Sequence, residues 1–240
     1  MSNENKKTVH IDIVSDVICP WCAYAISVQK IRASQLIYLF NYGRCYVGKR
    51  RLEEAIKQSK ELYPNLSFEI EWFPYLLDPS LTKEPQSKKE ILMKKFGEST
   101  FNSNAAILIE SGREIGISFD HDGVVAQTYD AHRLINYAKS QGKHEEIVEV
   151  LFHNYHEEGK SPADYDVLSE AAASVGLDKE KVLQFLKSEE GMQQVKDEIS
   201  QALKKGIAGV PHFTINNKFD VSGGQGPKIW LEIFENISKE

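Results

Sequence analysis

Apolar and polar residues alternate at both ends of the chain and follow a helical period through its middle. The run Val9-His10-Ile11-Asp12-Ile13-Val14 puts an apolar side chain at nearly every second position, the signature of a strand. Residues 49–62 change period. There Leu52, Ala55, Ile56 and Leu62 approximate one stripe of a helix, and Pro64-Asn65 closes it. Ser67-Phe68-Glu69-Ile70-Glu71-Trp72-Phe73 alternates again and predicts a second strand, ended by Pro74 and Asp78-Pro79.

Between residues 87 and 205 no good strand pattern occurs. The segment predicts helices over 88–96, 100–115, 129–140 and 145–157, the last of these carrying Ile147, Val148, Leu151, Phe152 and Tyr155. A further helix opens at Asp164 and ends near Gly176. Asp178 is set to cap the next one. Residues 191–205 form the last helix before Gly206, a C-terminal stop signal. The strand pattern then returns in Val210-Pro211-His212-Phe213-Thr214-Ile215. Asn216-Asn217-Lys218 has the composition of a tight turn, and Phe219-Asp220-Val221-Ser222 answers it as the second arm of a hairpin. After Gly223-Gly224, Gly226-Pro227 starts a final helix with Ile229, Trp230, Ile233, Phe234 and Ile237 inward.

Strand, helix, strand, helical block, hairpin, helix is the order of an α/β fold: a thioredoxin-like mixed sheet with an inserted all-helical subdomain. The expected division is a first sheet-forming part over residues 8–80, a helical insertion over 81–205, and a second sheet-forming part over 206–240.

Composition narrows the function. A chain of 240 residues can bury a sizeable core, and its net charge of −6 counts against broad nucleic-acid binding, which needs a basic face. No stretch reaches the ~18 apolar residues of a membrane span. Residues 1–8 are polar and hold no apolar signal core. The expectation is a cytoplasmic protein, monomer or dimer, with neither nucleic-acid nor membrane partners. Three cysteines do not make a disulfide framework, so a close pair points to catalysis or metal binding.

That pair is Cys19-Pro20-Trp21-Cys22, directly after the first strand. A helix starting at Cys19 would present both thiols at its N-terminus, where unpaired N–H groups and the helix dipole favour a thiolate. Such placement lowers a cysteine pKa from about 8.5 to roughly 3.5–7.5. Zinc is the rival, but a closed zinc site takes about four Cys or His ligands. No second CxxC exists, Cys45 stands alone, and His153 with His156 reads as a solvated helix face. No metal and no bound cofactor are expected.

Several segments together resemble the DsbA-like thioredoxin proteins, most closely their FrnE-like cytosolic branch. They are Ser15-Asp16-Val17-Ile18-Cys19-Pro20-Trp21-Cys22, Tyr46-Val47-Gly48-Lys49-Arg50-Arg51-Leu52-Glu53, Asp130-Ala131-His132-Arg133-Leu134, Gly209-Val210-Pro211-His212-Phe213 and Val221-Ser222-Gly223-Gly224-Gln225. The resemblance implies a thiol–disulfide oxidoreductase, reductase or isomerase, acting on disulfides of proteins or small molecules. Glutathione is a candidate co-substrate. Cys19 is implied as the nucleophile, nearer the helix end and more exposed, and Cys22 as the resolving thiol. Pro211 is implied as a cis-proline that leaves the Val210 backbone free to pair with an extended substrate. Trp21 and His212 would line the substrate groove. His132 either faces that groove or packs within its helix. Trp21 cannot stabilise a thiolate as a histidinium would, which implies a milder oxidant than relatives with histidine there. Two other functions stay open. One is a glutathione-dependent transferase or isomerase of the kappa-like branch, which the second thiol disfavours. The other is a non-catalytic peptide-binding module beside Pro211, should the dithiol be blocked.

One segment departs from that pattern. In the relatives the CPWC motif runs straight on into a segment like Tyr46-Val47-Gly48-Lys49. Here residues 23–45 stand between. Removing 23–45 or removing 22–44 yields the same sequence, because a cysteine stands at each edge. The segment carries Lys30, Arg32 and Arg44 without an acidic residue, and the apolar run Leu36-Ile37-Tyr38-Leu39-Phe40 has no clean period. A retained in-frame intron or an alternative exon is the preferred account; a genuine loop or helix over the site is its competitor. A short helix over 20–33 could still present Cys19 and Cys22.

Overall fold

The computed structural model describes residues 6–19 and 45–240. The chain divides into two compact units. One comprises Met1–Ser15, Cys19–Phe73 and Gly206–Glu240; the other comprises Asp16–Ile18 and Pro74–Lys205. The helical unit thus begins at residue 74, earlier than the expected 81, and also claims the three residues before Cys19.

The described chain begins with β1 (Lys7–Ser15), α1 (Cys45–Leu62) and β2 (Leu66–Pro74). It continues with β3 (Gln86–Ser87), α2 (Lys88–Phe96), α3 (Glu98–Arg113), β4 (Val124–Val125), α4 (Tyr129–Ser140) and α5 (His144–His156). Next come α6 (Tyr165–Ser174), α7 (Lys179–Lys187) and α8 (Met192–Lys204), and the chain closes with β5 (His212–Ile215), β6 (Phe219–Ser222) and α9 (Pro227–Lys239).

In the sheet unit the strands lie in the order β2-β1-β5-β6. The sheet is mixed. β1 is interior, and its apolar alternation gives way to three consecutive buried residues at its end, as befits a strand covered on both faces. It pairs antiparallel with β5, Ile11 opposite Ile215 and Ile13 opposite Phe213. β5 and β6 form the expected hairpin. Its turn places Asn216 and Asn217 at φ 50° and 53°, a left-handed conformation that asparagine tolerates because its short amide bonds locally. Asn216 Oδ1 accepts from the His10 N–H at 2.8 Å, which ties the turn to β1. α9 packs on α1. Trp230, Phe234 and Ile237 on α9 are fully buried, each such side chain contributing about 1.5–3 kcal/mol. Trp230 meets Phe213 edge to face at 4.7 Å. Ile229, expected inward, is 40% exposed. It stands one residue before Trp230, about 100° around the helix, and so leaves the stripe.

The helical unit is organised around α4, which packs against α5, α6, α7 and α8. Side-chain caps start two helices where the sequence places them. Asp164 accepts from the N–H groups of Asp166 and Val167, and Asp178 accepts from that of Lys181. One expectation is corrected: the middle segment does contain strands. β3 and β4 pair antiparallel, Gln86 opposite Val125 and Ser87 opposite Val124. Two residues are too few to show a period, so the pairing leaves no trace in the pattern.

Candidate functional site

β1 delivers the chain to Asp16–Ile18 and then to Cys19. Asp16 fixes the approach. Its carboxylate accepts from the Leu77 N–H at 2.8 Å and from the Ile18 N–H at 3.4 Å. His132 on α4 holds it from the other side, with Nε2 3.5 Å from Asp16 Oδ1 and 3.1 Å from the Tyr75 carbonyl oxygen. The His132 side chain is 5% exposed. The ring thus holds the Asp16–Ile18 segment within the helical unit. Asp16 was missed as a positioning group. Its signal was a carboxylate set in an apolar run.

Cys19 is fully buried, and its Sγ donates to the Val210 carbonyl oxygen over 3.6 Å. The expectation that Cys19 is more exposed than Cys22 lies outside the described residues, since Cys22 is not among them. Leaving an interior strand, the chain turns Cys19 onto the lead-in to β5, where Val210 is itself buried. The Val210–Pro211 peptide bond is cis. α1 closes on the same point. A Cβ added at Gly48 would stand 3.2 Å from Pro211 Cγ, 3.3 Å from the Gly224 Cα and 3.3 Å from Phe213 Cζ. A Cβ there is tighter than an ordinary contact, so a larger residue would push a neighbour aside by a few tenths of an ångström. Arg51 donates to the Gly224 carbonyl, and the Gly223 N–H donates to the Pro211 carbonyl at 2.8 Å. Three stretches of chain, around Gly48, Pro211 and Gly224, thus interlock beside Cys19.

Cys45 is the first residue of α1, starting that helix four residues ahead of the expected position, and it is 1% exposed. It lies near Cys19, with no disulfide between them. The sequence left Cys45 without a role. Its signal was the cysteine repeated ahead of Tyr46. His212 pairs across the hairpin, Nδ1 3.3 Å from Ser222 Oγ and Nε2 3.2 Å from Asp220 Oδ1, so β6 engages both ring nitrogens. Trp21 and Cys22, with the helix expected over 20–33 and most of the 23–45 segment, lie outside the described residues.

The helical unit holds two buried polar groups of its own. Arg133 bonds Asp130 Oδ1 at 2.6 Å and the carbonyls of Phe185, Leu186, Ser188 and Glu190, which ties α4 to the end of α7. Lys83 completes the pairing at Asp130 Oδ2, at 2.8 Å. Elsewhere Lys88 donates to the carbonyls of Asp120 and Tyr155 at 3.1 and 3.2 Å. Burial lowers the Lys88 pKa to about 8 against the opposing pull of Asp120. The pair His153 and His156 is also corrected. His153 is exposed and bonds Glu157, but His156 is buried, held neutral by desolvation first and the Lys88 charge second. Facing Phe152, Tyr155 and Phe119, it belongs to an aromatic core. Among the described residues no group of three or more His, Cys, Asp and Glu could hold a metal ion. No described helix is long and apolar enough to cross a membrane.

A mixed sheet in the order β2-β1-β5-β6, with α1 and α9 packed together in the same unit, is a thioredoxin-like fold. Residues 40–232 match the DSBA-like thioredoxin domain, and the chain belongs to that family. YwbO of Bacillus subtilis is 23% identical over 236 residues, spanning 97% of this chain and 99% of its own. A solved structure described as a probable DsbA oxidoreductase, SCO1869 from Streptomyces coelicolor, superposes with a TM-score of 0.79 at 24% identity, covering 97% of this chain and 91% of that one. The cytosolic disulfide reductase DsbM from Pseudomonas aeruginosa, solved with GSH, shares the fold at a TM-score of 0.60 and 14% identity, covering 96% of this chain and all of that one.

Proposed function

We propose that this protein is a thiol–disulfide oxidoreductase that reduces or isomerises disulfides, with Cys19 as the attacking thiol and the Val210–Pro211 strand end as the surface that receives substrate. The observation that carries the reading is the Cys19 thiol set against the Val210 carbonyl beside Pro211. The Cys19 thiolate attacks one sulfur of R–S–S–R′, forming a mixed disulfide and releasing R′–SH. A second cysteine of the chain then displaces R–SH and leaves an intramolecular disulfide. Two thiols of a small co-substrate return the protein to the dithiol and leave as a disulfide. Glutathione is the thiol to test first: a protein of the same fold, named as a cytosolic disulfide reductase, was solved with GSH. Family membership supports the chemistry, and the cytoplasm, where glutathione keeps thiols reduced, suits the reductive direction.

The test is insulin reduction driven by glutathione. The full chain should accelerate it, and Cys19→Ser should lower turnover by at least about 100-fold, since removing a nucleophile removes the covalent route. Unchanged turnover in Cys19→Ser would end this reading.

A further inference from the structure

We propose that Cys45 is the thiol that resolves the mixed disulfide on Cys19, in the place the CPWC spacing would assign to Cys22. The proposal rests on the thiol–disulfide reading above. Its ground is the convergence of two described cysteines on one point of the sheet unit. Cys19 touches Val210, and one turn after Cys45 the helix α1 seats Gly48 on Pro211. Residues three apart on a helix share a face, so the contact that locks Gly48 to Pro211 also locates Cys45 beside the strand end that Cys19 abuts. Both cysteines are buried and near one another. A further fact agrees: Cys45 precedes Tyr46-Val47-Gly48-Lys49, the position that Cys22 takes only when residues 23–45 are removed.

The step balances. The Cys45 thiolate attacks Cys19 Sγ of the mixed disulfide. The Cys19–S–R bond breaks, and the leaving thiolate takes the proton that Cys45 gave up. The product is a Cys19–Cys45 disulfide plus R–SH. Substrate has gained two electrons, and the protein pair has lost them. Two low-molecular-weight thiols restore the pair.

The sequence makes the test clean. Trypsin leaves Cys19 and Cys22 together on peptide 8–30 and puts Cys45 on peptide 45–49, while chymotrypsin cuts after Trp21 and separates Cys19 from Cys22. The full chain is oxidised with glutathione disulfide, blocked with an alkylating agent, digested and read by mass spectrometry. The expected result is peptide 8–30 joined to 45–49, with the link on the Cys19 half after the chymotryptic cut. In parallel, Cys45→Ala should accumulate the Cys19–glutathione mixed disulfide while Cys22→Ala turns over like the parent chain. A disulfide closed within peptide 8–30, or a stalled Cys22→Ala beside an active Cys45→Ala, overturns the proposal and leaves the oxidoreductase reading standing. A parent chain that exchanges no disulfide, or an active Cys19→Ser, removes both. The linkage is read on the unmutated protein, so a Cys45 variant that fails to fold does not blunt the test.

Discussion

At the scale of single residues, the buried charge that nothing in the pattern foretold is Lys88. Its amine sits over the Tyr155 ring at 4.3 Å and bonds two carbonyls, with Asp120 the facing carboxylate and His121 and His156 the nearby rings that its charge depresses. The folded pKa, about 8, lies below the ordinary value of 10.5. Below pH 8 both folded and unfolded chains hold the proton, and the full cost of burying the charge is present. Between pH 8 and 10.5 the unfolded chain binds more proton than the folded one, so stability rises with pH, by at most about 3 kcal/mol. We predict that the stability of the parent chain relative to Lys88→Met climbs across this window. Denaturant melts of both proteins at several pH values check it, and a flat difference would refute it. His132 is a second case. Its contacts with Asp16 and the Tyr75 carbonyl leave no mark in the pattern and exist only in the folded chain.

At the scale of elements, α1 is the piece on which the site depends. Its helical stripe was legible from residue 49 onward, because Leu52 and Ala55 face the core. Its first turn was not legible. Cys45, Tyr46, Val47 and Gly48 are all buried, so that turn shows no polar face and no period. What holds it is the approach of Gly48 to Pro211, Phe213 and Gly224, a contact between segments far apart in sequence. We predict that Gly48→Ala destabilises the protein by about 1–3 kcal/mol, because the added methyl meets backbone at Gly224 and a ring at Pro211 that cannot move aside cheaply. Turnover should fall with it, since Cys45 rides on the same turn. Urea unfolding and insulin reduction measure the two effects. A variant as stable and active as its parent would show that the close approach is not required.

At the scale of the whole molecule, the segment over residues 23–45 separates two thiols that the fold brings together. Closing a loop of that length costs about 2 kcal/mol more than closing the two-residue gap of a CxxC. We predict that a chain lacking residues 23–45 melts higher and turns over faster than the 240-residue protein. Equal melting temperatures and equal turnover would sink that prediction. Much of the architecture was readable beforehand for a physical reason: strands and helices betray themselves by period, and most elements here are long enough to show one. The two-residue β3 and β4 were not, and the buried His156 looked like a solvated neighbour of His153 because a helix stripe gives no depth. By itself, the sequence determined the fold class, the order of the longer elements, the helix opening at Asp164, the cap at Asp178, and the presence of a cysteine at the end of the first strand. Tertiary structure alone decided that Cys19 is buried against Val210, that Gly48 seats α1 on Pro211, and that Cys45 stands near Cys19. Local pattern reports the face a residue turns to the core. Which thiol meets which depends on contacts between segments far apart along the chain, and those exist only once the chain has folded.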